Sequence, residues 1–295
     1  MSLPLVSICI PVYNGEPYIY KTLNSAINQT YKNIEILIFD NCSTDKTAEI
    51  IKTFKDNRIT YHLNDANYGG LRNFNKCLES GNGEFIKLLN ADDLLKPNAI
   101  EMQVEALINN PDASMCITAT NVINEFDEVI MKRQLYKKSL KVDGRKIAKK
   151  TLLRGRSIYG EPSTVLLRRD RTRQVGYFSD LLPYSTDVDY FMRLSYVGDV
   201  YYINEFLSDW RVSSTNATSN ILFKNFSNFS SHLIDWDILI KRHSEFQVIS
   251  LNILDKLIAK TSITIMFFLK FVFLTYNKIR RKEKVSSDYS KGCIV

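Results

Sequence analysis

Val6-Ser7-Ile8-Cys9-Ile10, running straight into Pro11-Val12-Tyr13-Asn14-Gly15, is the stretch that decides the fold. A short run rich in β-branched residues, closed by turn formers, reads as a buried strand ending in a polar loop. Three further runs repeat the pattern: Ile34-Glu35-Ile36-Leu37-Ile38-Phe39, Ile59-Thr60-Tyr61-His62-Leu63 and Phe85-Ile86-Lys87-Leu88-Leu89. Between them Ile19, Leu23, Ala26 and Ile27 share one helical stripe, as do Leu71, Phe74 and Leu78. Ile100, Val104, Leu107 and Ile108 form another after the fourth run. Strands alternating with helices predict an α/β fold, a mostly parallel sheet wrapped by helices. Ser43 or Thr44 is expected to cap the second helix, and Pro97 to occupy the first turn of the fourth.

Beyond Ala119 the alternation fades, and Met131 to Arg173 is crowded with Lys and Arg around short apolar pieces. Thr164-Val165-Leu166-Leu167 reads as a strand. A helix is expected from near Asp187, carrying Tyr190, Phe191, Leu194 and Val197 inward, with the apolar run Val200 to Leu207 after it. From Asn220 onward the chain reads as mostly helical. The segment Ile263 to Leu274 is very apolar, but its uninterrupted part is shorter than the roughly 20 residues a spanning helix needs. Lys278, Arg280, Arg281, Lys282, Lys284 and Lys291 then outnumber Glu283 and Asp288, a flank suited to anionic lipid. Three readings of this segment stand side by side: packing on the core or a second copy of the chain, lying on a membrane surface, and, against its short length, a true span.

Composition narrows the function classes. A chain of 295 residues with 45% hydrophobic and 24% charged residues builds a real core, which excludes disordered and fibrous classes. The net charge of +7 suits phosphate-bearing small molecules or an anionic membrane face and does not call for nucleic acid. Cys9, Cys42, Cys77, Cys116 and Cys293 contain no CxxC pair, so neither a zinc site nor a disulfide framework is expected. With no signal-peptide features in Met1 to Pro4, a reducing, cytoplasmic location is the expectation. His62, His232 and His243 show no pairing suited to a metal. The absence of GxGxxG after a strand and of GxxxxGK[ST] removes the common dinucleotide and P-loop readings.

Ligands of such sheets bind outside the carboxyl ends of the strands. Here those ends read Pro11-Val12-Tyr13-Asn14-Gly15, Asp40-Asn41-Cys42-Ser43-Thr44-Asp45 and Asn90-Ala91-Asp92-Asp93. The adjacent acids Asp92 and Asp93 need a cation or hydrogen-bond donors to coexist. A hard divalent ion that bridges a diphosphate takes only one or two protein carboxylates.

Together with Asn67-Tyr68-Gly69-Gly70-Leu71-Arg72-Asn73, these motifs, in this order, resemble a family 2 glycosyltransferase of the GT-A fold, with a Rossmann-like central sheet. The resemblance implies a nucleotide diphosphate sugar donor, UDP being the expected nucleotide, and Mn²⁺ or Mg²⁺. Pro11, Val12, Tyr13 and Asn14 would line the nucleotide pocket, Asp40 would accept from the base, and Arg72 would lie near the base or diphosphate. Asp92 would approach the ribose or metal, and Asp93 would be the principal metal ligand. Asp187-Val188-Asp189 resembles the end of the family's Glu-Asp-x-Asp motif, with Thr186 in place of Glu; Asp187 maps to the catalytic base of an inverting transfer, Asp189 being the alternative. Trp210-Arg211 resembles the family's Tyr-Arg pair, Arg211 being placed near the diphosphate and Trp210 against a sugar or in the core. Asn90 stands where the family often has Asp, and Asn41-Cys42 where Asp-Gly is common, a change expected to act on turn geometry.

The expected organisation is a GT-A domain over 1–215, split into a nucleotide-sugar half (1–118) and an acceptor half (119–215), then a helical extension (216–295). The acceptor would be a saccharide or polyprenyl-linked species of bacterial surface polysaccharide synthesis. Partners of the extension would be an anionic membrane surface on the inner face of the cell membrane, or a second copy. Competing readings are a sugar nucleotidylyltransferase and a non-catalytic sugar-nucleotide-binding scaffold.

Overall fold

A computed structural model describes residues 3–182, 185–213, 227–245, 249–265 and 268. In chain order the elements are β1 (Val6–Val12), α1 (Ile19–Ile27), β2 (Ile34–Asp40), α2 (Thr47–Thr53), β3 (Ile59–Leu63), α3 (Gly70–Ser80), β4 (Phe85–Leu88) and β5 (Leu94–Leu95). Then come α4 (Ala99–Ile108), β6 (Ala113–Ile123), β7 (Val129–Arg133), β8 (Leu140–Val142), α5 (Gly144–Arg154) and a 3₁₀ turn (Pro162–Thr164). β9 (Val165–Arg168), α6 (Arg169–Val175), α7 (Thr186–Tyr196), β10 (Asp199–Arg211) and α8 (Ser227–Glu245) follow.

The strands form one sheet in the order β3-β2-β1-β4-β9-β6-β10-β5, with β7 on β6 and β8 on β10. β1 pairs in parallel with both β2 and β4, Ile8 facing Ile36 on one side and Lys87 on the other. Because β1 is covered on both faces, its residues are mostly apolar rather than alternating, and Val6, Ile8, Cys9 and Ile10 are fully buried together with the polar Ser7. Ile19, Leu23 and Ala26 of α1 and Ile100, Val104 and Leu107 of α4 join the same core. The chain leaves β1 towards β2 on one side and returns through β4 on the other. That reversal of direction opens a crevice at the carboxyl end of β1.

Beyond β4 the sheet turns mixed. β9 runs antiparallel between β4 and β6, with Ile86 opposite Leu167 and Met115 opposite Leu167 on its other edge. β6, buried along its whole length, pairs in parallel with β10. The long β10 shifts register on the way, between Ile203 and Phe206 and again between Phe206 and Ser208. Each shift inserts a bulge that bends the strand.

Met1–Lys150 with Ser157–Ser214 form one compact unit, and Thr151–Arg156 with Thr215–Val295 the second. Within the second, α8 buries Trp236, Leu239 and Ile240, and residues 253–265 are helical. Gly155 (φ 59°) passes against Ile263, whose backbone nitrogen would lie 2.6 Å from any added Cβ. The run from 269 to 274, the basic residues from Lys278 to Lys291 and Cys293 lie outside the described residues. Among the described residues no helix is long and apolar enough to cross a membrane.

Two local expectations are corrected. Neither Ser43 nor Thr44 caps α2: the N-cap position is Lys46, without a side-chain cap, and Asp45, one residue ahead of it, accepts from the Thr47 backbone N–H at 3.0 Å, while the Ser43 hydroxyl receives the Asn14 N–H. Pro97 lies ahead of Asn98, the N-cap of α4, and so outside its first turn. In the turn after β2, Cys42 takes the left-handed conformation (φ 65°) in which glycine is free of strain, and Asn41 makes the amide contacts described next.

Candidate active site

The loops after β1 and β2 are fastened to one another. The Asn14 side-chain Oδ1 accepts from Thr44 N–H at 2.9 Å, Gly15 N–H donates to Thr47 Oγ1 at 2.7 Å, and Glu16 N–H donates to Asp45 Oδ2 at 3.0 Å. Pro11 is half-buried, Val12 buried and Tyr13 exposed. Asp40 ends β2 with a buried carboxyl that accepts from Ser43 N–H (2.8 Å) and Tyr61 O–H (2.7 Å). Next to it, Asn41 donates to Asn67 Oδ1 (2.7 Å) and accepts from Asn64 Nδ2 (3.0 Å) and Tyr68 N–H (3.0 Å). Asn73 extends this amide network from α3 to the Phe39 carbonyl, and one residue before it Arg72 stands exposed.

The acid pair after β4 divides into two different environments. Asp93 is fully buried, and its carboxyl receives Arg211 N–H at 2.8 Å, Asn90 Nδ2 at 2.9 Å and Ser163 Oγ at 2.6 Å. Burial, followed by the charge of Asp92, pushes its proton affinity well up, against the pull of these donors. Asp92 is only partly buried, and no other residue among those described hydrogen-bonds its carboxyl. Its affinity is also raised by burial, while the neighbouring Arg211 charge lowers it. The sequence reading made Asp93 the principal metal ligand with Asp92 beside it; here the Asp93 carboxyl accepts from three protein donors, whereas Asp92 is partly exposed.

Among the described residues no three of His, Cys, Asp and Glu gather to hold a metal by themselves. A divalent ion carried on a diphosphate needs fewer ligands than that, and the single hard oxygen donor at Asp92 fits one.

Arg211, expected near a diphosphate, is fully buried. Its Nε donates to the Asp92 carbonyl (2.8 Å), its NH1 to the Asn124 carbonyl (2.8 Å), and its NH2 lies 2.6 Å from Asp127 Oδ1. The guanidinium also stacks over Tyr18, 4.5 Å from the ring centroid. Asp127, in a left-handed conformation (φ 66°), pairs with Lys21 as well. Trp210 carries the Arg133 guanidinium over its ring at 5.2 Å.

Asp187 lies in the first turn of α7 and is partly buried. Burial pushes its pKa to about 6, the Glu161 charge adds to the rise, and Val188 N–H, donating at 2.9 Å, and Arg133 oppose it. Asp189, the alternative base, is fully buried and paired with Arg193 at 2.9 Å. Its partner also fastens α7 to the Val175 and Tyr177 carbonyls. The turn before β9 carries Ser163, which donates to Asp93, and, two residues earlier, Glu161, whose charge adds to the rise at Asp187.

Sequence reasoning missed Glu161, Ser163, Asp127 and Lys87. The buried Lys87 donates to Gln103 Oε1 at 2.9 Å, and burial lowers its pKa to about 7, while the Cys116 and Asp93 charges act in the other direction. A charged residue inside the apolar run Phe85–Leu89 was its visible signal. Ser163 and Glu161 sit in an irregular turn whose contacts are all distant in sequence, and no periodicity marks them.

The paired acids stand at the switch point of a doubly wound sheet, with a third acid at a helix start on the same unit, and the family match sets the class of protein as a transferase. The chain belongs to Glycosyl transferase family 2, whose pattern matches residues 7–170. It is 32% identical over 223 residues to an uncharacterized glycosyltransferase of Rickettsia typhi, a match covering 74% of this chain and 67% of that protein. Its fold is similar to S. aureus TarS 1–349 in complex with UDP-GlcNAc, with a TM-score of 0.62 at 17% identity over 82% of this chain and 73% of that one. It is also similar to the mannosyltransferase PcManGT from Pyrobaculum calidifontis in complex with GDP-Man and Mn²⁺, with a TM-score of 0.58 at 15% identity over 98% and 85%. The fold is therefore GT-A and the protein is a glycosyltransferase, of a family whose fold supports transfer from nucleotide sugars. Family membership sets aside the nucleotidylyltransferase and scaffold readings.

Proposed function

We propose that this chain transfers a single sugar from a nucleotide diphosphate sugar, with UDP as the nucleotide, to a saccharide or polyprenyl-linked acceptor of surface polysaccharide synthesis, with inversion. The observation that carries the reading is Asp187: a partly exposed carboxyl in the first turn of α7, its pKa pushed up by burial to about 6, on the same compact unit as the acid pair at the sheet's switch point. A base of that affinity is ionised at neutral pH yet basic enough to take the proton of an attacking hydroxyl. Direct displacement then needs no covalent enzyme intermediate. The nucleotide rests against Pro11, Val12, Tyr13 and Asn14, with Asp40 holding the turn that faces the base and Arg72 reaching towards the base or diphosphate. Asp92 would hold Mn²⁺ or Mg²⁺, which supplies Lewis-acid stabilisation of the departing diphosphate. Asp93, Asn90 and Arg211 keep the Asp92 loop in place. The nucleotide sugars bound by TarS and PcManGT support this class of donor.

Nucleoside diphosphate release from a panel of nucleotide sugars, followed over a Mn²⁺ titration, tests the site. Asp92→Asn is expected to raise the half-saturating Mn²⁺ concentration at least about tenfold, since even partners one shell removed from a metal are worth that much. An unchanged metal requirement would remove Asp92 from the ligand set.

A membrane surface is the second part of the proposal. Ile253, Leu254, Leu257 and Ile258 are exposed on one stripe of the 253–265 helix, as an interfacial helix requires. Leu254→Glu with Leu257→Glu should shift the full chain from the pellet to the supernatant in co-sedimentation with vesicles containing anionic lipid. Equal partition of both proteins would discard the membrane reading.

A further inference from the structure

A charged residue stands in the middle of β4, where an apolar one would pack. Lys87 shares a face of the strand with Phe85 and, just past its end, Leu89, two members of the core that Ile100, Val104 and Leu107 of α4 complete. It is 1% exposed, and its ammonium donates to Gln103 Oε1 at 2.9 Å. Gln103, fully buried on α4, passes the contact on: its Nε2 donates to the Thr164 carbonyl at 2.9 Å. Thr164 closes the 3₁₀ turn that carries Ser163. The Ser163 hydroxyl accepts from Asn90 N–H at 3.0 Å and donates to Asp93 Oδ2 at 2.6 Å, and Asp93 N–H returns to the Asn90 carbonyl at 3.1 Å. Asp92 lies inside that closed turn. A run of buried hydrogen bonds therefore leads from β4 through α4 and the turn before β9 to both residues that bracket Asp92.

Packing does not ask for this arrangement. A buried ammonium is costly to desolvate, and apolar side chains of similar volume in place of buried charge are often neutral or stabilising. What the lysine adds is direction. An ammonium has donors and no acceptor, so it dictates which end of the Gln103 amide faces it, and the NH₂ end is thereby turned to the Thr164 carbonyl. We infer that Lys87 and Gln103 are positioning residues for the turn 90–93: the lysine orients the amide, the amide holds the turn before β9, and Ser163 on that turn holds Asn90 and Asp93 so that Asp92 meets the cation. This rests on the reading of Asp92 as the acid that takes the metal.

Mn²⁺ binding to the full chain in the presence of UDP, read from the electron paramagnetic resonance signal of the free ion, tests the relay without turnover. Lys87→Met and Gln103→Met are each expected to raise the Mn²⁺ Kd about three- to tenfold, up to the lower end of what partners one shell beyond a ligand are worth. The double variant should bind no more weakly than the weaker single, because a series broken twice is still one broken series. Gln103→Glu keeps an acceptor for Lys87 and removes the donor to Thr164. It guards against a fold lost to an unpaired buried lysine, and should weaken Mn²⁺ binding as Gln103→Met does. Melting midpoints recorded beside the titration identify a purely structural role, which would lower the midpoint and leave the Kd of the folded chain where it was. That result, or losses that add in the double variant, overturns the relay. Asp92→Asn is run in the same titration. If it binds Mn²⁺ as the native chain does, the metal reading of Asp92 falls and the purpose of the relay with it; if it alone weakens binding, only the relay falls.

Discussion

Asp187→Asn is expected to lower sugar transfer about 10²- to 10⁴-fold, the range that a positioned general base contributes, while leaving donor binding intact. In the native chain the rate should rise with pH through about 6, as the carboxylate forms, and level off above it. The same shift carries a stability consequence of opposite sign. An acid whose affinity is raised on folding from 3.8 to about 6 holds its proton more tightly folded than unfolded. Its contribution is thus favourable at low pH and is lost as pH rises through that interval. At neutral pH the charged Asp187 costs on the order of 2 kcal/mol, so Asp187→Asn should melt higher than the native chain at pH 7 and show no gain at pH 4. Asp189→Asn is the contrasting variant. Its carboxyl neutralises the guanidinium that ties α7 to the Val175 and Tyr177 carbonyls, so stability should fall along with the rate. A mutant at 187 with native turnover, or one at 189 with native stability and no turnover, would exchange the two roles.

The nucleotide half was legible because its cues are local. β1, β2 and β4 are covered on both faces and therefore mostly apolar rather than alternating, and the loops after β1 and β2 bond to one another. Asp40, Asp92 and Asp93 could be placed at one edge on that basis. How Asp92 and Asp93 differ was not legible, since it depends on Arg211 and Ser163, 118 and 70 residues away from Asp93 in sequence. The acceptor half hid its order for a related reason. β9 was read as a strand from Thr164 to Leu167, but its insertion antiparallel between β4 and β6 is a tertiary choice that no periodicity records. β6 was passed over because Ser114, Thr118, Thr120 and Asn121 interrupt its apolar pattern, although all four are buried. Thr120 and Asn121 are hydrogen-bonded to Ser208 and Asp209 of β10. A polar residue satisfied by a distant strand looks, in sequence, like a loop residue.

Arg211→Ala is expected to cost about 3–5 kcal/mol, the loss found when one partner of a buried charge pair is removed. The guanidinium is the common hub of three segments. It reaches the Asp92 carbonyl after β4, the Asn124 carbonyl and Asp127 carboxyl in the β6–β7 turn, and the Tyr18 ring ahead of α1. Its loss leaves two carbonyls without their donor and Asp127 with Lys21 alone, while the Asp93 carboxyl keeps all three of its donors, the one from position 211 being a backbone N–H. Arg211→Lys should recover little, because one ammonium cannot satisfy three acceptors arranged around a planar fork. In a double-mutant cycle with Asp127→Asn, the two losses should fall short of their sum, as they do when residues share one network. The measurement is the denaturation midpoint of the four proteins, with donor KM recorded beside it. A diphosphate ligand would behave otherwise: Arg211→Ala would then leave the midpoint where it was and weaken donor binding alone, the result that would return Arg211 to the role its sequence suggested. A hub of this kind also bears on the metal site, since Arg211 touches Asp92 through the backbone carbonyl and not through the carboxyl. It sets the position of the acid while leaving the carboxyl oxygens free to meet a cation, and an arginine that paired with those oxygens would compete for them.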